Sequence, residues 1–246
     1  MSDLLTVFNP PEFKVGKGVV VVDVEIATPV EDPKLFDTPH VFPLSVACTY
    51  DDGAGFRDFV GEGTVYKLIE HLLRFDRVVG FNHCRFDCGV IDGSVMREFQ
   101  RGEGAAANIR RSVGAFWDMG VRDPEPGMIR SMLRNKLVDL NQDVSDFLRE
   151  RNMNVKGRRA TLDTISRGMY GEEGGKLSTR FAGGKEAPKA WRNRMCLEVI
   201  AYCRMDVWQT ANLYVDLVAG KPLRNWNWPK SEEINEFEGR VAIKLR

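Results

Sequence analysis

Asp23 and Glu25 stand two residues apart in a run of valines, Val19-Val20-Val21-Val22-Asp23-Val24-Glu25-Ile26. Alternate residues of a strand point to the same face, so both carboxylates face one way, about 6.6 Å apart along the chain. Val20, Val22, Val24 and Ile26 make the opposite face apolar, and Val19 and Val21 are apolar on the carboxylate side. A strand apolar on both faces is interior, with helices covering each side. Two like charges at that spacing repel by roughly 2–3 kcal/mol at an effective dielectric of about 20, and desolvation adds to the cost. A divalent cation with oxygen ligands removes the conflict. A strand end whose acids reach water also removes it.

Two further groups have chemical potential. In Gly80-Phe81-Asn82-His83-Cys84-Arg85-Phe86-Asp87 a strand runs into a turn, and Asp87 opens a helix; as an N-cap it is unremarkable. Tyr202 and Asp206 are four residues apart, which puts a phenol and an acid one helical turn from each other on the same side. Glu198 extends that row by another turn. The three histidines, His40, His71 and His83, are scattered and suggest neither a zinc cluster nor a nucleophile triad. Cys84 and Cys88 lack the CxxC spacing of a zinc site, so a core role is expected for both.

The elements that must position these residues follow from periodicity. Strands are predicted over 18–27, Phe42 to Tyr50, Phe56 to Val60 and Arg77 to Phe81, with Asp51-Asp52-Gly53-Ala54-Gly55 as a hairpin turn. Helical spacing appears over 64–75, from about Phe86, over 142–150 and over 161–170. The stretch 93–135, rich in Gly, Ala, Arg and Pro, reads as an irregular insertion. The longest helix spans 196–218, with Cys196, Ile200, Cys203, Val207, Ala211, Tyr214 and Leu217 as its core stripe and Gly220 and Pro222 beyond its end. Strands first, then strands alternating with helices, indicate an α/β sheet of mixed strand direction. A glycine-rich loop at 171–184 ends in Gly183-Gly184-Lys185, but Glu186 stands where a phosphate loop needs Ser or Thr.

The bulk numbers narrow the class. The 246 residues suffice for one large core. No apolar run is long enough to cross a bilayer, no secretory signal is visible, and five cysteines give no even disulfide framework. A reducing, cytoplasmic setting is expected. Net charge is +0, yet its distribution is uneven: residues 1–148 sum to −7, 149–194 to +7, and the rest to zero. A basic segment in an acidic chain is the footprint of phosphate contact; a solvated loop would look the same.

Taken together, D-x-E on a first strand, N-x-x-x-F-D after a later strand and Y-x-x-x-D on a C-terminal helix resemble the DEDD superfamily of 3′–5′ exonucleases. Within it the chain is similar to the tyrosine-type subgroup, since Tyr202 precedes Asp206 by four and position 201, where a histidine-type member has His, is Ala. The likeness is to exonuclease domains of family B DNA polymerases and to helicase-associated predicted exonuclease domains. It runs from about residue 18 to about residue 220 and includes Val138-Asp139-Leu140 and Thr161-Leu162-Asp163. Ile26 departs from the family, which usually has Thr after the glutamate.

The resemblance implies a ribonuclease H-like fold: one domain over 1–246, with the insertion at about 93–135 and a C-terminal extension at about 221–246. It implies that Asp23, Glu25, Asp87 and Asp206 bind two divalent ions, Mg²⁺ or Mn²⁺. Carboxylates without histidine or cysteine suit hard cations, and a pair of them serves in-line displacement at phosphorus. Tyr202, a poor base at neutral pH, is expected to position the attacking water. Asn82 and Phe86 are expected beside the terminal nucleotide, Phe86 by packing or stacking there or else as a simple core residue. Lys176 and Arg180, with the other basic residues of 149–194, are expected along the incoming backbone, and Trp191 either stacks on a base or anchors its loop. The implied partner is a single strand of DNA or RNA with a 3′ end, with DNA favoured, alongside a helicase or polymerase and no membrane. A noncatalytic binding module and a structure-specific endonuclease on the same fold are the competing readings.

Overall fold

The valine run forms β1 (Val19–Ile26), the middle strand of a five-stranded sheet, in a computed structural model that describes residues 14–112, 123–150, 161–171, 184–221 and 223, less the side chains of 147–150. The sheet order is β3-β2-β1-β4-β5, with β2 (Leu44–Asp51), β3 (Gly55–Val60), β4 (Arg77–Gly80) and β5 (Leu137–Asp139). β2 runs antiparallel to both β1 and β3, while β4 and β5 run parallel to β1. Mixed directions with helices on both faces make this an α/β, ribonuclease H-like sheet.

Both faces of β1 are buried, as its composition requires. Val19 and Val21 join one core with β2 and the last long helix, α8 (Cys196–Val218). Val20, Val22, Val24 and Ile26 join the other with α1 (Val65–Leu72) and α2 (Asp87–Gln100). Each such side chain contributes roughly 1.5–3 kcal/mol on burial, so the strand is fixed in register as well as in place. The pairing with β2 shifts register between Glu25 and Ile26, an irregularity that re-aims side chains and is common beside active sites.

The remaining helices are α3 (Glu103–Ser112), α4 (Met128–Met132), α5 (Leu140–Glu150), α6 (Leu162–Tyr170) and α7 (Ala187–Arg192). The stretch expected to be irregular contains helix at 93–100, 103–112 and 128–132, joined by turns where it is otherwise described, and α2 passes straight through Gly89 and Gly93. The reason is packing. A Cβ on Gly93 would lie 1.8 Å from the His40 carbonyl oxygen, and one on Gly89 would lie 2.3 Å from Pro39 Cγ. These glycines admit the β1–β2 connection onto the helix and do not interrupt it. Arg97 completes the dock, donating to the carbonyls of His40 (2.9 Å) and Phe42 (2.7 Å) while pairing with Glu62 (2.6 Å). No helix among the described residues is long and apolar enough to cross a membrane.

Candidate metal centre

The sheet brings acids distant in sequence to one place. Asp23 and Glu25 project from β1 on the α8 side, and Asp206 comes from the middle of α8. Ligand oxygens of these three lie within 4.8 Å of one another. Glu25 is 7% exposed and Asp87 5%, while Asp23 and Asp206 are half-buried. α8 is held against β1 by its Cys203 thiol, which donates to the Asp23 carbonyl (3.4 Å), and against β3 by Arg204, which grips Asp58 at 2.8 and 2.5 Å.

Asp87 stands outside that triplet. It is the first residue of α2, one position past the N-cap, which is Phe86, so the helix-cap role does not account for it. Its charge nonetheless reaches the cluster. Burial first, then the charges of Asp206, Asp87 and Glu25, push the Asp23 carboxyl well above the usual range. Glu25 is raised by burial and then by Asp206 and Asp87. Asp87 is raised by burial, then by Asp139 and Asp206. Asp206 is pushed up to about 7, chiefly by burial, with a hydrogen bond from Tyr202 opposing the shift and Asp163 adding to it. Four mutually repelling carboxyls sharing little water is the situation that perturbed functional groups create.

The donor set is all oxygen, and Asp23 Oδ2 and Asp87 Oδ2 are buried with no hydrogen-bond partner among the described residues. Orphaned carboxylate oxygens of this kind fit a hard divalent cation, which satisfies lone pairs and offsets charge together. Tyr202 borders the cluster, half-buried and hydrogen-bonded to Asp206. Burial, followed by the charges of Asp206, Glu25 and Asp23, raises its phenol far above the ordinary value, so it is a neutral donor at every physiological pH. Gly184 lies against it: a Cβ there would be 3.6 Å from the phenol oxygen.

The other expected substrate residues are placed variously. Asn82 is exposed on the turn before α2, at φ 66°. Phe86 is half-buried against the α1–α2 core, its ring 5.7 Å from Phe36 and 6.3 Å from Phe42. Trp191 is half-buried and packs on the α8 core. Lys185, Lys189, Arg192 and Arg194 are exposed around it. Lys176 and Arg180, like Lys156, Arg158 and Arg159, lie outside the described residues.

Sequence spacing missed a second cluster. His83, Cys84 and Asp139 offer ligand atoms within 4.8 Å of one another, so His83 is not the isolated histidine its position suggested. The adjacency of His83 and Cys84 was visible, but Asp139 lies on β5 and no local pattern links it to them.

A central mixed sheet with acids converging at the strand ends beneath a long helix defines an α/β domain with a candidate metal centre. No family model matches the chain, and no curated protein does either. Among solved structures it is similar to the family B DNA polymerase of the hyperthermophilic archaeon Pyrobaculum calidifontis, with a TM-score of 0.51 and 16% identity. The match covers 81% of this chain and 24% of that one, and at that identity the shared property is the fold.

Proposed function

We propose that this domain is a metal-dependent 3′–5′ exonuclease of the tyrosine type, hydrolysing phosphodiester bonds of single-stranded nucleic acid, with DNA favoured. The observation that supports it most is the meeting of Asp23, Glu25 and Asp206 within 4.8 Å, with Tyr202 bonded to Asp206 and Asp87 close enough to perturb the cluster. The fold shared with a family B DNA polymerase adds to the same reading.

Asp23, Glu25, Asp87 and Asp206 would hold two Mg²⁺ or Mn²⁺ ions. When bound, such ions supply Lewis acidity at phosphorus and lower the pKa of water. The chain's own residues do the rest. The rigid β1 and α8 backbones fix the acids, so little reorganisation is needed during reaction. Tyr202, neutral and tethered to Asp206, orients a water by hydrogen bonding and does not act as a base. Phe86 and Trp191, both half-buried, are the candidate surfaces for a base, and the exposed cations of α7 favour a polyanion.

Digestion of end-labelled linear and closed circular single strands of DNA and RNA in Mn²⁺ tests the proposal. Stepwise loss from the 3′ end of linear strands, with circles intact, is the expected result. Cutting of circles would indicate an endonuclease. No cutting of any substrate would leave a binding module.

A further inference from the structure

Asp139 closes β5 and is 8% exposed, yet it is not one of the four acids assigned to metal. Its carboxylate is tied to two chain segments. Oδ1 accepts from the backbone N–H groups of Asn82 (2.9 Å), Asn141 (3.1 Å) and Gln142 (3.3 Å), and Oδ2 accepts from that of Cys84 (3.0 Å). The two bonds to Asn82 and Cys84 span the turn between β4 and α2, whose amides would otherwise be orphaned. That turn needs holding, because Asn82 sits at φ 66°, in the left-handed region. His83, between the two amides, is 1% exposed and directs Nδ1 to within 3.7 Å of Asp139 Oδ2. Gly80 makes room for it, since a Cβ there would lie 2.6 Å from the His83 ring. Three residues after Cys84, the same backbone delivers Asp87 at the head of α2.

We propose that Asp139 is a positioning residue: by binding the Asn82 and Cys84 amides it sets the direction in which Asp87 enters the acid cluster. This rests on the reading of that cluster as a metal centre. A soft-metal site built from His83, Cys84 and Asp139 is the rival use of the same atoms. It is disfavoured because four amides already occupy the carboxylate and because burial pushes the Cys84 thiol up to about 12.

The test is Mn²⁺ titration calorimetry on the wild type, Asp139→Asn, Asp87→Asn and the double variant, with amide hydrogen exchange on the metal-free wild type. Asparagine keeps the shape but turns one acceptor oxygen into a donor. Asp139→Asn is expected to weaken Mn²⁺ binding about 10- to 100-fold and to change it less than about twofold in the Asp87→Asn background, because both act through one group. Unchanged affinity in Asp139→Asn, or additive losses, overturns the proposal. If that variant does not fold, the wild type decides: slow exchange at the Asn82 and Cys84 amides supports the proposal and loop-like exchange overturns it. Zn²⁺ binding that Cys84→Ser abolishes and Asp87→Asn spares also overturns it. A wild type that binds no Mn²⁺ removes the metal-centre reading itself, a result distinct from an indifferent Asp139→Asn.

Discussion

The Tyr202 phenol and the Asp206 carboxyl, one turn apart on α8, are hydrogen-bonded to each other at the border of the acid cluster. The bond is the factor that favours the ionised form of Asp206 against burial and the charge of Asp163. It also fixes the phenol where an incoming water could meet it.

Tyr202→Phe should therefore reduce turnover about 10- to 100-fold, the usual cost of losing a partner that orients a metal-site group. Mn²⁺ affinity should stay within about threefold. Single-turnover nuclease kinetics beside calorimetry checks both, and an unchanged rate removes Tyr202 from the mechanism.

The metal-free protein should lose stability as pH rises through the range in which Asp206 titrates. Its folded value of about 7 lies above the ordinary 3.8, so the folded state binds the proton more tightly than the unfolded chain. That contribution is fully present below about pH 4 and is lost progressively up to about pH 7. Urea unfolding of the metal-free wild type and Asp206→Asn from pH 4 to 8 measures it. The variant should show the flatter profile, and parallel profiles would contradict the assignment.

Divalent ions should stabilise the fold by relieving the repulsion among Asp23, Glu25, Asp87 and Asp206. At a Mn²⁺ concentration 100 times the dissociation constant the gain is about 2.7 kcal/mol. Thermal unfolding with and without millimolar Mn²⁺ reads it directly, and the shift should vanish in Asp23→Ala.

Gly93→Ala should cost about 2–3 kcal/mol as an overpacking change, because its Cβ would meet the His40 carbonyl. Chemical denaturation measures this. Gly104→Ala, on α3 with nothing within 4 Å of a Cβ, should be neutral or better and serves as the control.

What the sequence disclosed depended on whether a residue's partner lay nearby. The valine run of β1 and the stripe of α8 announce themselves by period, so the strand, the helix and the faces of Asp23, Glu25, Tyr202 and Asp206 could all be read. The ends moved by only a residue or two, as with β1 at Val19–Ile26 against an expected 18–27. The Gly, Ala, Arg and Pro content of 93–135 misled because glycine and proline have low helix propensity, whereas Gly93 lies inside α2 and answers a close approach by a segment about 50 residues away. Asp139 was legible only within Val138-Asp139-Leu140, with no partner in view. Its bonds reach back 57 and 55 residues to Asn82 and Cys84, and no local spacing encodes such a reach.

Anomalous scattering from a crystal soaked in Mn²⁺ decides whether these acids hold metal. A strong peak coordinated by carboxylate oxygens of Asp23, Glu25 and Asp206, with Asp87 turned toward the same site, is the expected result. No peak there, or one confined to His83 and Cys84, would contradict it.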